Sequence, residues 1–267
     1  MSNFKKISSM SDRLTLITGA AGKIGRVMAK SLAELGSNLI LVDYPSSNFS
    51  SLESSIKRKS KVDLWSIECD LESEEDRNRL IELVKSDGRG LNCLINNAAF
   101  VGESDLKGWI TPFEEQTLDT WRRAIEVNLT TPFHLSQAFA PELQLGEGGN
   151  IINIASIYGE LGPDWNLYKD TNMGNPAAYS ASKGGLVQLT RWLATTLAPN
   201  IRVNSISPGG VFRNQPKVFV ERYSVKTPLE RMATEEDFIG VVAFLASDMS
   251  QYLTGQNIIV DGGWSTW

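Results

Sequence analysis

Short runs of aliphatic and β-branched residues alternate with longer stretches whose apolar positions recur at helical spacing, and the alternation runs almost the whole length of the chain. The apolar runs read as strands at 14–19, 38–43, 62–70, 91–99, 150–156, 201–209 and 256–263. They are apolar on consecutive positions, as strands are when helices cover both faces of a sheet. Between them, amphipathic periodicity predicts helices over 23–36, 73–88, 117–139, 176–198 and 234–248. Gly36 stops the first, Ser73 heads the second with acids in its first turn, Pro176 opens the fourth and Thr234 caps the fifth. The alternation gives an α/β fold, a doubly wound parallel seven-stranded sheet of Rossmann type flanked by helices on both faces. No repeat or linker interrupts it, so residues 1–267 are expected to form one domain. Segments 100–116 and 157–175 fit neither period, and loops of that length tend to carry function.

Composition excludes several classes. With 42% hydrophobic side chains in 267 residues the chain can bury a full core. No run approaches the roughly 18 apolar residues of a membrane span, and "MSNFKKISSMSDR" lacks the apolar centre of a secretory signal, so a soluble cytoplasmic protein is expected. The net charge of −5 gives no general attraction to nucleic acid or membrane, so any anionic ligand needs a local site. Cys69 and Cys93 lie inside apolar runs and read as buried reduced thiols; with one histidine besides, no metal site can be assembled.

The first strand ends in "TLITGAAGKIG" (15–25), where glycines separate a strand from a helix start. Gly19 allows a sharp turn, Gly22 a close approach of backbone to phosphate, and Gly25 tight helix–strand packing. The amides and dipole of the helix start, with Lys23 and Ile24 in its first turn, would then face a pyrophosphate. Alone, the cluster also suits a plain strand-to-helix turn. Asp43 adds the second half of the pattern, a carboxylate at the end of the second strand placed to accept from both hydroxyls of an adenosine ribose. A 2′-phosphate would be repelled there, so NAD is the expected cofactor over NADP, although Lys23 would favour the phosphate.

Tyr179 and Lys183 stand four apart on a predicted helix, hence on one face. A free phenol, with a pKa of about 10, is a poor base near neutrality, and a neighbouring ammonium and an oxidised nicotinamide would lower it. Tyr179 would then take the alcohol proton as hydride leaves, while Ser156, at a strand end, hydrogen-bonds the substrate oxygen where charge develops. Singly, each has a plainer reading, since Tyr–Lys pairs recur on many helix surfaces and Ser156 suits a strand-end turn. Tyr168 has Lys169 beside it but Asn172 four residues on. His134 has no partner in sequence and is assigned no role; the tryptophans and "SEEDRNR" (73–79) read as packing and solvated surface.

Together the motifs "TGAAGKIG" (18–25), "CDL" (69–71), "NNAA" (96–99), Asn128 in "VNLTTPF", "NIASIYG" (153–159), "YSASK" (179–183), "SPGGV" (207–211) and "YLTGQNIIVDGG" (252–263) carry a family likeness. From about residue 12 to 263 the chain resembles the compact short-chain dehydrogenases/reductases. The resemblance implies an NAD(P)-dependent enzyme acting on CH–OH groups, with Tyr179 as general acid/base beside Lys183, Ser156 and Asn128, the last holding a water that passes the proton from Lys183 to solvent. It puts Asp70 and Leu71 by the adenine, Asn97, Ala98 and Ala99 along the cofactor, and Pro208, Gly209 and Val211 by the nicotinamide amide. It also implies a homotetramer or dimer joined through 117–140, 176–198 and the last strand.

Three departures shape the substrate question. Lys23 stands where the compact relatives carry glycine, which gives the loop the spacing of the larger sugar-nucleotide branch. "NNAA" ends in Ala99 rather than glycine, and the stretch from Ser156 to Tyr179 is longer than usual. That insertion, within 157–175, and the segment 211–233 are expected to wall the substrate pocket. Asp164, Trp165, Asn166, Tyr168, Lys169, Asp170 and Asn172 suit a hydroxyl-rich small molecule, and the expected substrate is a sugar or sugar derivative, of the kind found in bacterial surface glycans. An acyl thioester would call for a greasier wall with bases at its mouth, for which Arg213, Lys217 and Arg222 qualify. Two other readings stay open. One is a sugar-nucleotide epimerase or dehydratase, whose chains carry a further C-terminal domain where this sequence ends after "VDGGW". The other is a non-catalytic NAD-sensing protein, which would have no reason to keep Tyr179, Lys183 and Ser156 together.

Overall fold

The uncharged run Leu14–Thr18 forms strand β1, buried at every position. In the computed structural model, which describes residues 2–101, 106–146 and 148–267, the order is α1 (Asn3–Ser8), β1, α2 (Lys23–Glu34), β2 (Asn38–Asp43), α3 (Ser50–Lys59), β3 (Leu64–Glu68), α4 (Glu74–Ser86), β4 (Cys93–Asn96), α5 (Leu118–Ile125), α6 (Thr131–Leu145), β5 (Gly149–Ile154), α7 (Ala177–Leu197), β6 (Ile201–Pro208), α8 (Lys217–Lys226), α9 (Ile239–Ala246) and β7 (Asn257–Val260). Of the segment 100–116, residues 102–105 lie outside the described residues. The strands make one seven-stranded sheet in the order β3-β2-β1-β4-β5-β6-β7, and every pairing is parallel. The winding reverses between β1 and β4, which opens a crevice at the carboxyl ends of the strands, where such sheets bind ligands.

Successive strand residues feed opposite cores. Ile17, Leu39 and Leu41 pack with Met28, Leu32, Val242 and Leu245 of α2 and α9. Leu16, Ile40 and Val42 pack with Leu80, Phe139 and Leu143 of α4 and α6. This is the two-residue period of a strand covered on both faces. Ser73 caps α4 by accepting from the Asp76 amide at 3.2 Å, as its sequence signal indicates.

Several expectations need correction. The helix expected over 117–139 is broken: α5 ends at Ile125, a π turn spans Glu126–Thr130, and Pro132 lies in the first turn of α6. Pro132 has no N–H to give the carbonyl four residues back, that of Asn128. Thr234 caps a 3-10 turn, Glu235–Phe238, rather than α9 itself. Helix α3 went unread because only Leu52 and Ile56 are buried in it, too thin a stripe to mark a helix. In the "SEEDRNR" face, Arg77 is buried, not solvated; it donates to the Leu71 carbonyl at 2.6 Å, to Glu126 at 2.6 Å and to His134 Nδ1 at 3.2 Å. His134 thereby has the partner that sequence spacing could not reveal. Trp109 and Trp264 are buried, but Trp165, Trp192 and Trp267 are exposed. Leu118, Trp121, Phe133 and Trp192 leave apolar surface on α5, α6 and α7. Cys69 and Cys93 are free and buried, and burial pushes both thiols up to about 12. No helix among the described residues is long and apolar enough to cross a membrane, and no group of metal-ligating side chains occurs among them.

Candidate active site

At the end of β1, Gly19 turns the chain with φ +64°, a conformation that glycine adopts without strain. A Cβ on Gly25 would lie 2.1 Å from the Gly19 carbonyl oxygen and 2.8 Å from Ala20 Cα, so α2 sits closer to the turn than a side chain permits. Gly22 is less crowded, its added Cβ meeting the Gly19 oxygen at 3.2 Å, and it caps α2 ahead of Lys23 and Ile24. Asp43 is tied to the same turn. Its Oδ2 accepts from the Ala21 amide at 2.7 Å, and its Oδ1 from the Tyr44 amide at 2.8 Å and Ser47 Oγ at 2.9 Å. Oδ1 thus already accepts two hydrogen bonds, and Oδ2 keeps a lone pair for a further donor.

Across the crevice Asn97 Nδ2 donates to the carbonyls of Thr18, at 2.9 Å, and Gly19, at 3.0 Å, and the Ala98 amide donates to Thr18 Oγ1 at 3.1 Å. Asp70 accepts from the Glu72 amide at 3.0 Å, and the Leu71 carbonyl also accepts from Thr131 Oγ1 at 2.8 Å. Past the end of β6, the Gly209 amide donates to Val260 and Val211 bridges to Ala233. Gly19, Gly22, Lys23, Ile24, Gly25, Asp43, Asp70, Leu71, Asn97, Ala98, Ala99, Pro208, Gly209 and Val211 all line one cavity of about 1050 Å³, and Ser156, Tyr179 and Lys183 line it too. Asn128 does not. Its side chain is fully buried, accepting from the Phe100 amide at 2.8 Å and donating to the Phe100 carbonyl and Ser182 Oγ, both at 3.1 Å.

Helix α7 carries Tyr179 and Lys183 to the end of β5, beside Ser156. Gly159, just past Ser156, lies against the Lys183–Gly184 backbone, where a Cβ would come within 2.9 Å. Lys183 is buried, donates to the Ile154 carbonyl at 2.7 Å and stands 5.8 Å from the centroid of the Tyr179 ring. Burial pulls its pKa down to about 7. Burial pushes the Tyr179 phenol up, while the Ser156 side chain and then the charge of Arg213 pull it down. The charge of Arg213 is the smaller of the two influences that favour the phenolate, after the Ser156 side chain, and Lys183 stands against the same ring, its charged form disfavoured by burial.

The insertion differs from its expected role. Of its polar and aromatic residues, Tyr168 and Asn172 line the cavity, whereas Asp164, Trp165, Asn166, Lys169 and Asp170 do not. Asp164 pairs with Lys226 of α8 at 2.5 Å, and the Lys169 carbonyl and Asp170 carboxylate engage Arg222. These contacts clamp the insertion to α8 and leave Lys217, paired with Glu221 at 3.5 Å, on the outside. Beneath the clamp Tyr168 packs on Phe219, centroids 5.5 Å apart, and its hydroxyl bonds that of Tyr158 at 2.7 Å. The end of the cavity beneath the clamp is thus an aromatic wall of Tyr158, Tyr168, Phe219 and Tyr223, with Asn172, Asn175, Arg213 and Gln215 as polar positions. Tyr158 and Asn175 carry no spacing signal and were not singled out; Tyr158 could have been noticed only through its place in "NIASIYG".

Known proteins match over nearly the whole chain. The family model described as enoyl-(acyl carrier protein) reductase matches residues 19–265. The chain is 30% identical over 257 residues to the post-translational flagellin modification protein A of Campylobacter coli, spanning 96% of this chain and 99% of that relative. It superposes on an NAD+-bound short chain dehydrogenase from Leptospira borgpetersenii serovar Hardjo-bovis with TM-score 0.83 and 33% identity, over 99% of this chain and 96% of that one. An NAD+-bound xylitol dehydrogenase gives TM-score 0.83 and 32% identity over 95% and 99%.

Proposed function

The chain belongs to the short-chain dehydrogenase/reductase family, and on that premise we propose that it is an NAD-dependent oxidoreductase interconverting a polyhydroxylated secondary alcohol and its ketone, with Tyr179 as the general acid/base. The observation that carries the reading is the single cavity in which a dinucleotide-sized crevice meets Ser156, Tyr179 and Lys183 beside a separate aromatic and amide-bearing wall. The residues fit a dinucleotide: the missing Gly25 side chain lets α2 pack against the turn, and Asp43, fixed by three protein donors, keeps an open acceptor site on Oδ2 for a ribose hydroxyl. In that fit the turn 19–25 would hold the pyrophosphate, Asp43 the adenosine ribose and Asp70 and Leu71 the adenine side, with Asn97, Ala98 and Ala99 along the cofactor and Pro208, Gly209 and Val211 by the nicotinamide amide. When bound, the nicotinamide supplies the hydride acceptor for oxidation and the hydride donor for reduction.

Ser156 Oγ donates to the substrate oxygen and fixes it beside Tyr179 Oη, which takes the hydroxyl proton during oxidation and returns it during reduction. Lys183, with a pKa brought near neutrality, exchanges protons with the far side of the site. Asn128 acts on that route through its carbonyl, which receives no amide from Pro132, while its side chain anchors Phe100. The polyol assignment draws on the cavity's amides, Asn172, Asn175 and Gln215, and on aromatic faces that can stack on a sugar ring. The named activity of the xylitol dehydrogenase relative agrees with it.

The test is a panel with NAD+: xylitol and D-glucitol against cyclohexanol and a 3-hydroxyacyl thioester. The polyols are expected to give kcat/KM at least about tenfold above cyclohexanol, the scale on which unpaired buried polar groups discriminate. A clear preference for the thioester would instead assign the carrier-linked chemistry named in the matching family model.

A further inference from the structure

Seven charged side chains line the cavity, and six have a place in the reading above or a partner close by. Lys23, Asp43 and Asp70 belong to the cofactor end. Arg123 forks onto Glu72 at 2.7 and 3.0 Å, and Lys183 is committed to the Ile154 carbonyl. Arg213 differs. Its side chain is only 18% exposed, yet its nearest ionic partner, Glu235, stands 3.5 Å from Nε, outside the roughly 2.7–2.9 Å of a charge-assisted hydrogen bond. Nε is buried without a hydrogen-bond partner, and among the described residues no hydrogen bond is made by the two terminal nitrogens. The backbone that carries it is tied locally, the Arg213 amide donating to Gln215 Oε1 at 2.6 Å and Gln215 Nε2 to the Val211 carbonyl at 2.8 Å. Arg213 and Tyr179 line the same cavity. From the 157–175 segment, Asn175 brings a second buried donor without an acceptor, its Nδ2, while its Oδ1 accepts from Ser180.

We propose that Arg213 anchors an anionic group of the substrate, so that the alcohol or ketone turned over at Tyr179 carries a carboxylate or phosphate beside its hydroxyls. A planar fork of donors suits either oxyanion, and a guanidinium held in a cleft with a single long ion pair is incompletely compensated until one arrives. This rests on Tyr179 as the reacting group and narrows the polyol reading to polyhydroxy acids or phosphorylated polyols. The competing acceptor for the same guanidinium is the cofactor's own pyrophosphate, since Arg213 lies two residues past Val211.

The test is calorimetric titration of the enzyme–NADH complex with D-glucitol, D-gluconate and D-glucitol 6-phosphate, which share one configuration and carry no charge, a carboxylate at C1 or a phosphate on C6. At least one anion is expected to bind tenfold or more tightly than D-glucitol, and which one identifies the group. Arg213→Gln is expected to remove that preference while NADH binding stays within twofold. Glu235→Gln, which leaves the guanidinium in place and removes its neighbour's charge, should tighten anion binding. Equal affinities for the three ligands, no binding of either anion, or a weakening in Glu235→Gln would overturn the proposal. So would a tenfold loss of NADH affinity in Arg213→Gln, which would give the guanidinium to the cofactor. Failure of the wild-type chain to bind NADH would sink the oxidoreductase reading itself, whereas NADH binding without anion preference removes this inference alone.

Discussion

Tyr179→Phe is expected to lower kcat by roughly 10²- to 10⁴-fold, the range lost with a general acid/base, while NADH affinity stays within twofold. The substitution removes one oxygen and keeps the ring, so packing of Tyr179 against Trp109 and Ala178 is retained. What disappears is the phenol that, among the described residues of the cavity, the Ser156 side chain and the charge of Arg213 both act on. Tyr158 and Tyr168 cannot substitute, because their hydroxyls bond each other at 2.7 Å and burial pushes both phenols up, Tyr168 to about 12. The measurement is steady-state turnover of whichever polyol the wild type oxidises, with NADH titration alongside. A variant that keeps a tenth or more of wild-type kcat would remove Tyr179 from the chemistry and favour one of the other hydroxyls.

Gly25→Ala is expected to abolish measurable NADH binding and to cost about 3 kcal/mol of stability, the upper end for forcing extra atoms into a packed site. The added methyl would meet the Gly19 carbonyl oxygen at 2.1 Å and Ala20 Cα at 2.8 Å, and both are backbone atoms that no rotamer change can move. Relief requires α2 to back away from β1, which opens the turn that aims its amides at the crevice. Gly22→Ala is the control, since its methyl meets one atom, at 3.2 Å, and its backbone is in the β region. A thermal melt with an NADH titration of both variants checks this. Wild-type behaviour in Gly25→Ala would mean that helix–turn contact does not shape the site.

The parts of the fold legible in the sequence are those fixed by local chemistry. β1 and β2 are buried on both faces and therefore read as unbroken apolar runs, and Gly19, Gly25 and Asp43 occupy positions whose backbone or strand-end geometry restricts the choice of residue. Long-range contacts were not legible. Asp164, Lys169 and Asp170 are as polar as any sugar-binding set, but their partners Lys226 and Arg222 are distant in sequence and turn them away from the cavity. Arg77 sits in a run of charges, and nothing local tells it from Arg79, which is paired with Asp76 near the surface at 3.2 Å. The π turn at Glu126–Thr130 preserves the apolar period well enough that "AIEVNLTTPF" reads as continuous helix, and only Pro132 hints at the break.

The central claim is that this cavity holds NAD at Asp43 and does so for catalysis at Tyr179. Fluorescence titration of the purified protein with NADH and NADPH, in the wild type and in Asp43→Asn, tests it most directly. Asn keeps the shape of the carboxylate and removes its charge. NADH is expected to bind at least about tenfold more tightly than NADPH, one such factor being about 1.4 kcal/mol, and the variant is expected to narrow that gap. Preference for NADPH in the wild type would mean that Lys23 outweighs Asp43, and no binding of either nucleotide would contradict the assignment of the crevice altogether.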